Sequence, residues 1–389
     1  MKVLHTADLH LGKTLHEMPL LEIQEKMLDD MYRILCSTDY AALFIAGDIY
    51  DRAVPAAEAV SLFSRFLAKV RSGCPETAVF IIPGNHDSAQ RLAFAHEILQ
   101  NQHIYIAQNT AELTAPFIIT QGTEKIEVFL LPFLSFGSFT EELRREQQGG
   151  DSQAAMAATA AELLKKAVNP DIPSVLLAHL FTVGGQSSAS ERTFIGTAEY
   201  INPALFSFFD YTALGHLHRC QRVTDRMYYS GSPLAYAFDE ADDSKCVLSV
   251  DIDCTAAGFP VQVERIPIVS ARPLKRLEGA FEAFFSGSTF DEWSSCFLEI
   301  TLTDAEVISN PMQLLRQKFP YVLSIRQKSF MERHSTGEDE RLNVQEYTAE
   351  DTQTLTENFN RFETIINGES SPVKQELFQL LCRETAYET

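Results

Sequence analysis

Leu43-Phe44-Ile45-Ala46-Gly47-Asp48-Ile49-Tyr50-Asp51 begins as an apolar run of strand length and stops abruptly at a glycine and a carboxylate. Such runs suit a buried strand, and the arrangement recurs four more times. Val3 to Leu4 leads into Asp8-Leu9-His10, Val79 to Ile82 into Gly84-Asn85-His86-Asp87, Val175 to Leu177 into His179, and Tyr211 to Leu214 into Gly215-His216-Leu217-His218. Polar clusters at strand ends are where an open α/β sheet puts its ligand crevice.

The residue types point to a two-metal phosphoesterase site. Two divalent cations roughly 3.5 to 4 Å apart clamp the attacking and leaving oxygens of an in-line displacement at phosphorus, and they share an anionic ligand. Asp48 is the natural bridge, because its carboxylate has two oxygens and Gly47 lets the backbone turn sharply toward the ions. Asp8, His10 and His218 complete one ion, and Asn85, His179 and His216 the other. Mixed oxygen and imidazole shells suit manganese or iron better than calcium; magnesium, which keeps its waters, fits less well. Gly-Asp and Gly-Asn are ordinary turn formers when met singly. It is the conjunction of seven donors in strand-end positions that turn chemistry does not explain.

These motifs, in this order, resemble the calcineurin-like metallophosphoesterases. The stretches His5 to Gly12, Ala46 to Asp51, Pro83 to Ser88 and Leu214 to His218 are similar to the SbcD family of nuclease subunits within it, and the resemblance runs from Met1 to about Asp253 and more loosely to the end. It implies a β-sandwich flanked by helices, with a small α+β capping domain and a C-terminal helix pair. It also implies a DNA exonuclease and endonuclease acting on ends and hairpins with an SbcC-type ATPase, two copies of each, in repair, recombination and replication. His86 would then be the catalytic acid or transition-state stabiliser, and the Asp51 carboxylate would hydrogen-bond its imidazole, a role compatible with capping the next helix. A small-molecule phosphodiesterase or phosphatase would share the ligands but would not need the extra domain and tail.

Composition sets limits. At 389 residues the chain is too long for one small domain. The expected division is 1–269 for the metallophosphoesterase domain, 270–335 for the cap and 336–389 for tethered helices that bind the ATPase. No stretch has the length of a membrane span, and the N-terminus enters strand-like sequence at once, so a cytoplasmic location is expected. Seven scattered cysteines without a Cys-x-x-Cys pair suggest neither a disulfide framework nor a zinc site. A net charge of -21 has the wrong sign for a free-standing DNA binder. Thirteen acidic against five basic residues from Glu332 onward supply part of that charge. Candidate phosphate contacts are Lys13, Arg52, Arg91, Arg192, Arg219 and Arg222.

Away from the motifs, Ala56 to Arg71 carries Val60, Phe63, Leu67 and Val70 at helical spacing, and Ser88 to Gln100 carries Leu92, Ala95 and Leu99. Helices near 56–71 and 88–100 are also where the resemblance implies a homodimer. Glu141 to Asp151 and the alanine-rich helix Gln153 to Val168 read as a surface insertion, and Gly184 to Arg192 as a Gly/Ser-rich loop beside the site. Lys245 to Ile252 and Val261 to Ile268 read as closing strands. The predicted cap has a helix near Leu277 to Phe285, a strand Phe297 to Leu302, a helix near Pro311 to Phe319 and a strand Tyr321 to Arg326. The two terminal helices start at Thr348-x-x-Asp351 and Ser371-Pro372.

Overall fold

The computed structural model describes residues 1–135, 139, 152–182, 185, 188, 200–328 and a few positions between 359 and 378. Its contacts divide the chain into Met1–Met331 and Glu332–Thr389. Nearly all of the second unit, with the predicted helix pair and Cys382, lies outside the described residues, as do Glu141 to Asp151 and Arg192.

The first unit opens with β1 (Lys2–Thr6), the short hairpin β2 (Thr14–Leu15) and β3 (Met18–Pro19), then α1 (Leu21–Ser37), β4 (Ala42–Ala46), α2 (Ala57–Gly73) and β5 (Ala78–Ile82). Next come α3 (Ala89–Leu92), α4 (His96–Gln100), β6 (Ile104–Ile106), β7 (Phe117–Gln121), β8 (Glu124–Leu131), α5 (Gln153–Ala167) and β9 (Ser174–His179). β10 (Tyr211–Gly215), β11 (Gln221–Thr224), β12 (Met227–Tyr229), β13 (Cys246–Ile252) and β14 (Val261–Pro267) follow. One six-stranded sheet has the order β14-β13-β1-β4-β5-β6, the other β11-β12-β10-β9-β8-β7. Strands β1, β4, β5 and β6 run parallel, as do β8, β9, β10 and β12.

Side-chain parity explains why the two sheets stack. Along β4 and β5, Leu43, Ile45, Val79 and Ile81 meet the helices, while Phe44, Ala46, Phe80 and Ile82 face the other sheet with Val128, Val175, Leu177 and Tyr211. Both faces are therefore covered, which is why these strands read as continuous apolar runs. α1 buries Met27, Leu28, Met31 and Leu35, and α2 buries Ala59, Leu62, Phe63, Phe66 and Val70. α5 covers the second sheet with Met156, Ala160 and Leu164. The result is a helix–sheet–sheet–helix sandwich.

Three expectations are corrected. The α2 stripe is rotated from the predicted one, leaving Val60 43% exposed. The helix expected over Ser88 to Gln100 is broken into α3 and α4 by a left-handed Ala95, φ 59°. In the cap, Leu277 lies in a strand, β15 (Leu274–Gly279), whose outer half alternates in burial with period two; the helix α6 (Phe281–Phe285) starts only afterwards. β15 pairs in parallel with β16 (Phe297–Leu302), and β16 with β17 (Val322–Gln327), with α7 (Pro311–Leu315) between them in sequence. Phe284, Leu298, Ile300, Leu315 and Phe319 form the separate core of this small unit.

Candidate metal centre

Parallel strands end on one side, so the loops after β1, β4, β5, β9 and β10 meet at a single edge of the sandwich. Asp8, Asp48 and Asn85 follow β1, β4 and β5 on one sheet; His179 ends β9, and His216 follows β10 on the other. Asp8, His10, Asp48 and His216 all take positive φ (55°, 43°, 51° and 104°), a conformation uncommon outside glycine and costing about 1–3 kcal/mol where strained. Gly47, φ 95°, precedes the proposed bridge, and a Cβ there would sit on the His179 ring. At Gly84 a Cβ would strike the Asp48 carboxylate and backbone nitrogen. Both glycines thus let neighbouring ligand loops close onto each other.

The donors are buried and crowded. Ligand atoms of Asp8, His10 and His218 lie within 4.8 Å of one another, as do those of Asp8, Asp48 and His179, and those of His10, Asp48 and His86. His10 Nε2 is 3.0 Å from His218 Nε2 and 3.7 Å from Asp48 Oδ2. His179 Nε2 is 3.5 Å from the same Asp48 oxygen and 3.0 Å from Asn85 Oδ1, which is also 3.0 Å from His216 Nδ1. Asp48 Oδ1 accepts from the His86 backbone N–H at 2.9 Å, and the Asp8 carboxylate accepts from His216 N at 3.0 and 3.1 Å. All seven sequence-predicted ligands are brought together here.

Protonation shows whether such a cluster fits cations. A carbonyl or carboxylate oxygen only accepts, so His179 Nδ1 donates to Ala46 O at 2.8 Å and His218 Nδ1 donates to Glu240 Oε1 at 3.1 Å. Burial holds the imidazole pKa of His179 below its ordinary value, drives that of His10 well below it, and takes that of His216 down to about 3. His179, neutral with Nδ1 protonated, presents a bare Nε2 lone pair to the Asn85 and Asp48 oxygens. His216 Nε2 and His10 Nδ1 are buried without a hydrogen-bond partner. A converging set of acceptors with so few protons fits divalent cations.

Asp51 departs from expectation. His86 Nδ1 donates to the Asp51 backbone carbonyl at 2.9 Å, while the Asp51 carboxylate takes Lys13 Nζ at 2.7 Å and lies 3.8 Å from His10 Nδ1. The nearby ammonium is a full-charge partner for the carboxylate, so the imidazole meets the peptide oxygen instead. Nor does Asp51 cap α2, whose N-cap is Ala56. Among the candidate phosphate contacts, Lys13 is thus engaged, Arg219 pairs with Asp243 at 3.1 Å and Arg222 with Asp225. Arg52 is 77% exposed beside the site, and Arg91 is exposed as well.

Three supports were not read from the sequence. Asp87 accepts from the backbone N–H groups of Ile49, Tyr50 and Gly84, each at 3.0 Å, and so ties two ligand loops together. Burial, followed by the nearby Asp48, pushes its pKa up to about 7. Glu240, fully buried, holds His218 and Lys245 (2.6 Å) and accepts from Ser188 Oγ at 2.9 Å. Burial alone would raise its pKa, but His218 and Lys245 outweigh that and hold it well below the usual range. Gln24 donates to His10 O at 2.8 Å, and the Tyr236 hydroxyl donates to Leu9 O, clamping the first loop. Asp87 lies inside a quoted motif, but nothing in its spacing assigns it backbone donors. Glu240 sits in an acidic run that reads as solvated surface.

Residues 1–220 match the family model described as calcineurin-like phosphoesterase, and residues 270–363 match the one described as type 5 capsule protein repressor C-terminal domain. The chain is 29% identical to the SbcD subunit of the nuclease SbcCD from Staphylococcus epidermidis over 389 residues, which is 99% of this chain and 100% of that protein. Among solved structures it is similar to a dimetal phosphatase from Danio rerio, at 12% identity over 69% of this chain and 97% of that one, TM-score 0.40. A sulfate thiohydrolase SoxB from Thermus thermophilus, in complex with glycerol, matches at 11% identity over 69% of this chain and 56% of that one, TM-score 0.36.

Proposed function

Because the chain belongs to the calcineurin-like phosphoesterase family, we propose that it is a two-metal phosphodiesterase acting on DNA, the nuclease subunit of an SbcCD-type complex. The observation that carries this reading is the convergence of two carboxylates, one amide oxygen and four buried imidazoles, in a chain that aligns end to end with a nuclease subunit. Asp8, His10, Asp48, Asn85, His179, His216 and His218 would hold two divalent cations, manganese first and iron or magnesium as substitutes, with Asp48 as the ligand they would share. Bound there, the ions supply charge stabilisation at phosphorus.

His86 is the group left to handle a proton. Its Nδ1 is committed to the Asp51 carbonyl, and its Nε2 faces the cluster 4.0 Å from Asp48 Oδ2, with the side chain still 12% exposed at the rim. Protonated at Nε2, it donates to the departing oxygen as the phosphorus–oxygen bond breaks. Asp51 acts through its carbonyl on His86 and through its carboxylate on Lys13.

The same likeness supports a reading of the assembly. Residues 1–269 form the nuclease domain, 270–335 the cap and 336–389 the tethered helices that dock on an SbcC-type ATPase, two of each subunit per complex. DNA ends and hairpins are its substrates, in cytoplasmic repair, recombination and replication. Among the described residues no helix is long and apolar enough to cross a membrane. A homodimer through the helices near 56–71 and 88–100 is supported by the large apolar residues exposed there: Val54 65%, Val60 43%, Phe94 80% and Ile98 68%. A basic partner would offset the net charge of -21.

Cleavage of linear duplex and hairpin DNA, compared with hydrolysis of bis(p-nitrophenyl) phosphate, tests this reading. With manganese and the ATPase partner, DNA should be cut, and chelator should abolish cutting. Hydrolysis of the small diester alone, with DNA untouched, would move the protein to the small-molecule class.

A further inference from the structure

α1 and α2 pack side by side in parallel, and their contacts keep a nearly constant register. Arg65 Nη2 meets Glu25 Oε1 at 2.9 Å, Lys69 Nζ meets Asp29 Oδ1 at 2.7 Å, and Lys69 Nζ also lies 4.7 Å from the centre of the Tyr32 ring. Glu25, Asp29, Tyr32 and Cys36 are spaced four, three and four residues apart, so they form one stripe of α1. Gly73 has no room for a side chain, because the Tyr32 hydroxyl occupies the place a Cβ would take. At the last rung of this ladder, Cys36 Sγ stands 2.7 Å from Cys74 Sγ. A bonded disulfide measures about 2.05 Å, so little movement separates the pair from a bond.

We propose that Cys36 and Cys74 are an oxidative modification site, closing to an intramolecular disulfide when the protein meets a peroxide. The seam of ion pairs and the Tyr32–Gly73 contact hold the two helix ends in place, with the two sulfurs already in van der Waals overlap. Cys36 is exposed and Cys74 half-buried, so peroxide reaches Cys36 first. Burial, then the hydrogen bond with Cys36, pushes the Cys74 thiol up to about 12, in keeping with Cys74 as the second partner to react. The Cys36 sulfur attacks the peroxide, the O–O bond breaks, and a sulfenic acid and one water result. The Cys74 sulfur then displaces the hydroxyl of that sulfenic acid, forming the S–S bond and a second water as its own proton leaves. Two thiols and one hydrogen peroxide thus give one disulfide and two waters. The cross-link closes the segment that carries β4, the Gly47–Asp51 loop and α2, and it restricts the unfolded chain. In a reducing compartment such a bond is transient.

The test treats the full-length protein with hydrogen peroxide, blocks remaining thiols and digests with trypsin without reductant. The expected product joins peptide 34–52 to peptide 72–91, two hydrogens lighter than their sum, and is lost on adding dithiothreitol. The Tm of the oxidised protein should rise by about 5 °C or more, return on reduction, and stay flat in Cys36→Ser, an exposed position whose change leaves the fold intact. Recovery of Cys36 only as sulfinic or sulfonic acid would overturn the proposal. So would separately alkylated Cys36 and Cys74 after oxidation, or cross-links confined to other cysteines.

Discussion

Glu240→Gln is the substitution that separates support of the metal centre from support of the fold. The carboxylate is fully buried and accepts from His218 Nδ1 at 3.1 Å, Ser188 Oγ at 2.9 Å, Tyr236 N at 3.2 Å and Lys245 Nζ at 2.6 Å. A glutamine keeps the shape and one acceptor oxygen, but its NH2 group faces the Lys245 ammonium. Leaving one partner of a buried pair costs about 3–5 kcal/mol. Lys245 keeps His218 O at 3.0 Å and Ser232 Oγ at 3.1 Å, so the low end of that range, about 3 kcal/mol, is expected. The second effect falls on the metal: without the anion, His218 Nδ1–H is held less firmly and its Nε2 is a poorer donor. Loss of such a carboxylate partner costs about 10–100-fold in metal affinity, or about 1.4–2.7 kcal/mol. Denaturant unfolding in chelator reads the first term, and manganese titration calorimetry reads the second. Adding Lys245→Met should restore most of the stability and none of the affinity. Manganese affinity within twofold of wild type in folded Glu240→Gln would refute the reasoning.

Three further outcomes are expected. His86→Ala should bind both ions normally and lose about 10²–10⁴-fold in turnover; a variant cutting at the wild-type rate removes His86 from the chemistry. Gly84→Ala should displace the Asp48 carboxylate, cost about 1–3 kcal/mol by overpacking and weaken metal binding, so unchanged calorimetry would contradict the close approach of these loops. Burial drives the pKa of His5 and of His216 down to about 3, against an unfolded value near 6.5. Below pH 6.5 the unfolded chain takes up protons that the folded chain refuses, so stability is full above that pH and falls as pH drops. At pH 5 each ring costs about 2 kcal/mol. His5 lies outside the ligand set, with Nε2 3.2 Å from Leu214 O and Nδ1 2.9 Å from the Tyr211 hydroxyl. In metal-free protein His5→Gln should therefore flatten the stability–pH curve between pH 6.5 and 4; an unchanged slope would show that His5 does not contribute.

The fold was legible where residue type and backbone requirement coincide. β4 and β5 are apolar on both faces because both are covered, and the loop after each carries a glycine, Gly47 or Gly84, where a Cβ would strike the candidate ligand His179 or Asp48. The same coincidence exposes the candidate ligands, since Asp8, Asp48, Asn85, His179 and His216 stand where parallel strands must end. Long-range partners were not legible. Glu240 reaches His218 only after the chain has folded back from β12, and Asp87 takes its three N–H donors from loops nearly forty residues apart. Lys13 captured the Asp51 carboxylate, a competition between two partners that no spacing reveals. Leu277 followed the wrong period because Leu277, Phe281 and Phe284 mimic a helix across a strand–helix junction. Cys36 and Cys74 are unremarkable in sequence, and only the parallel packing of α1 on α2 joins them.

Diffraction from manganese-soaked crystals, with anomalous differences collected at the manganese edge, tests the two-cation site most directly. Two peaks about 3.5–4 Å apart are expected, on either side of the Asp48 carboxylate, one toward His10 and His218 and the other toward His179 and His216. A single peak, none, or peaks away from Asp48 would contradict it.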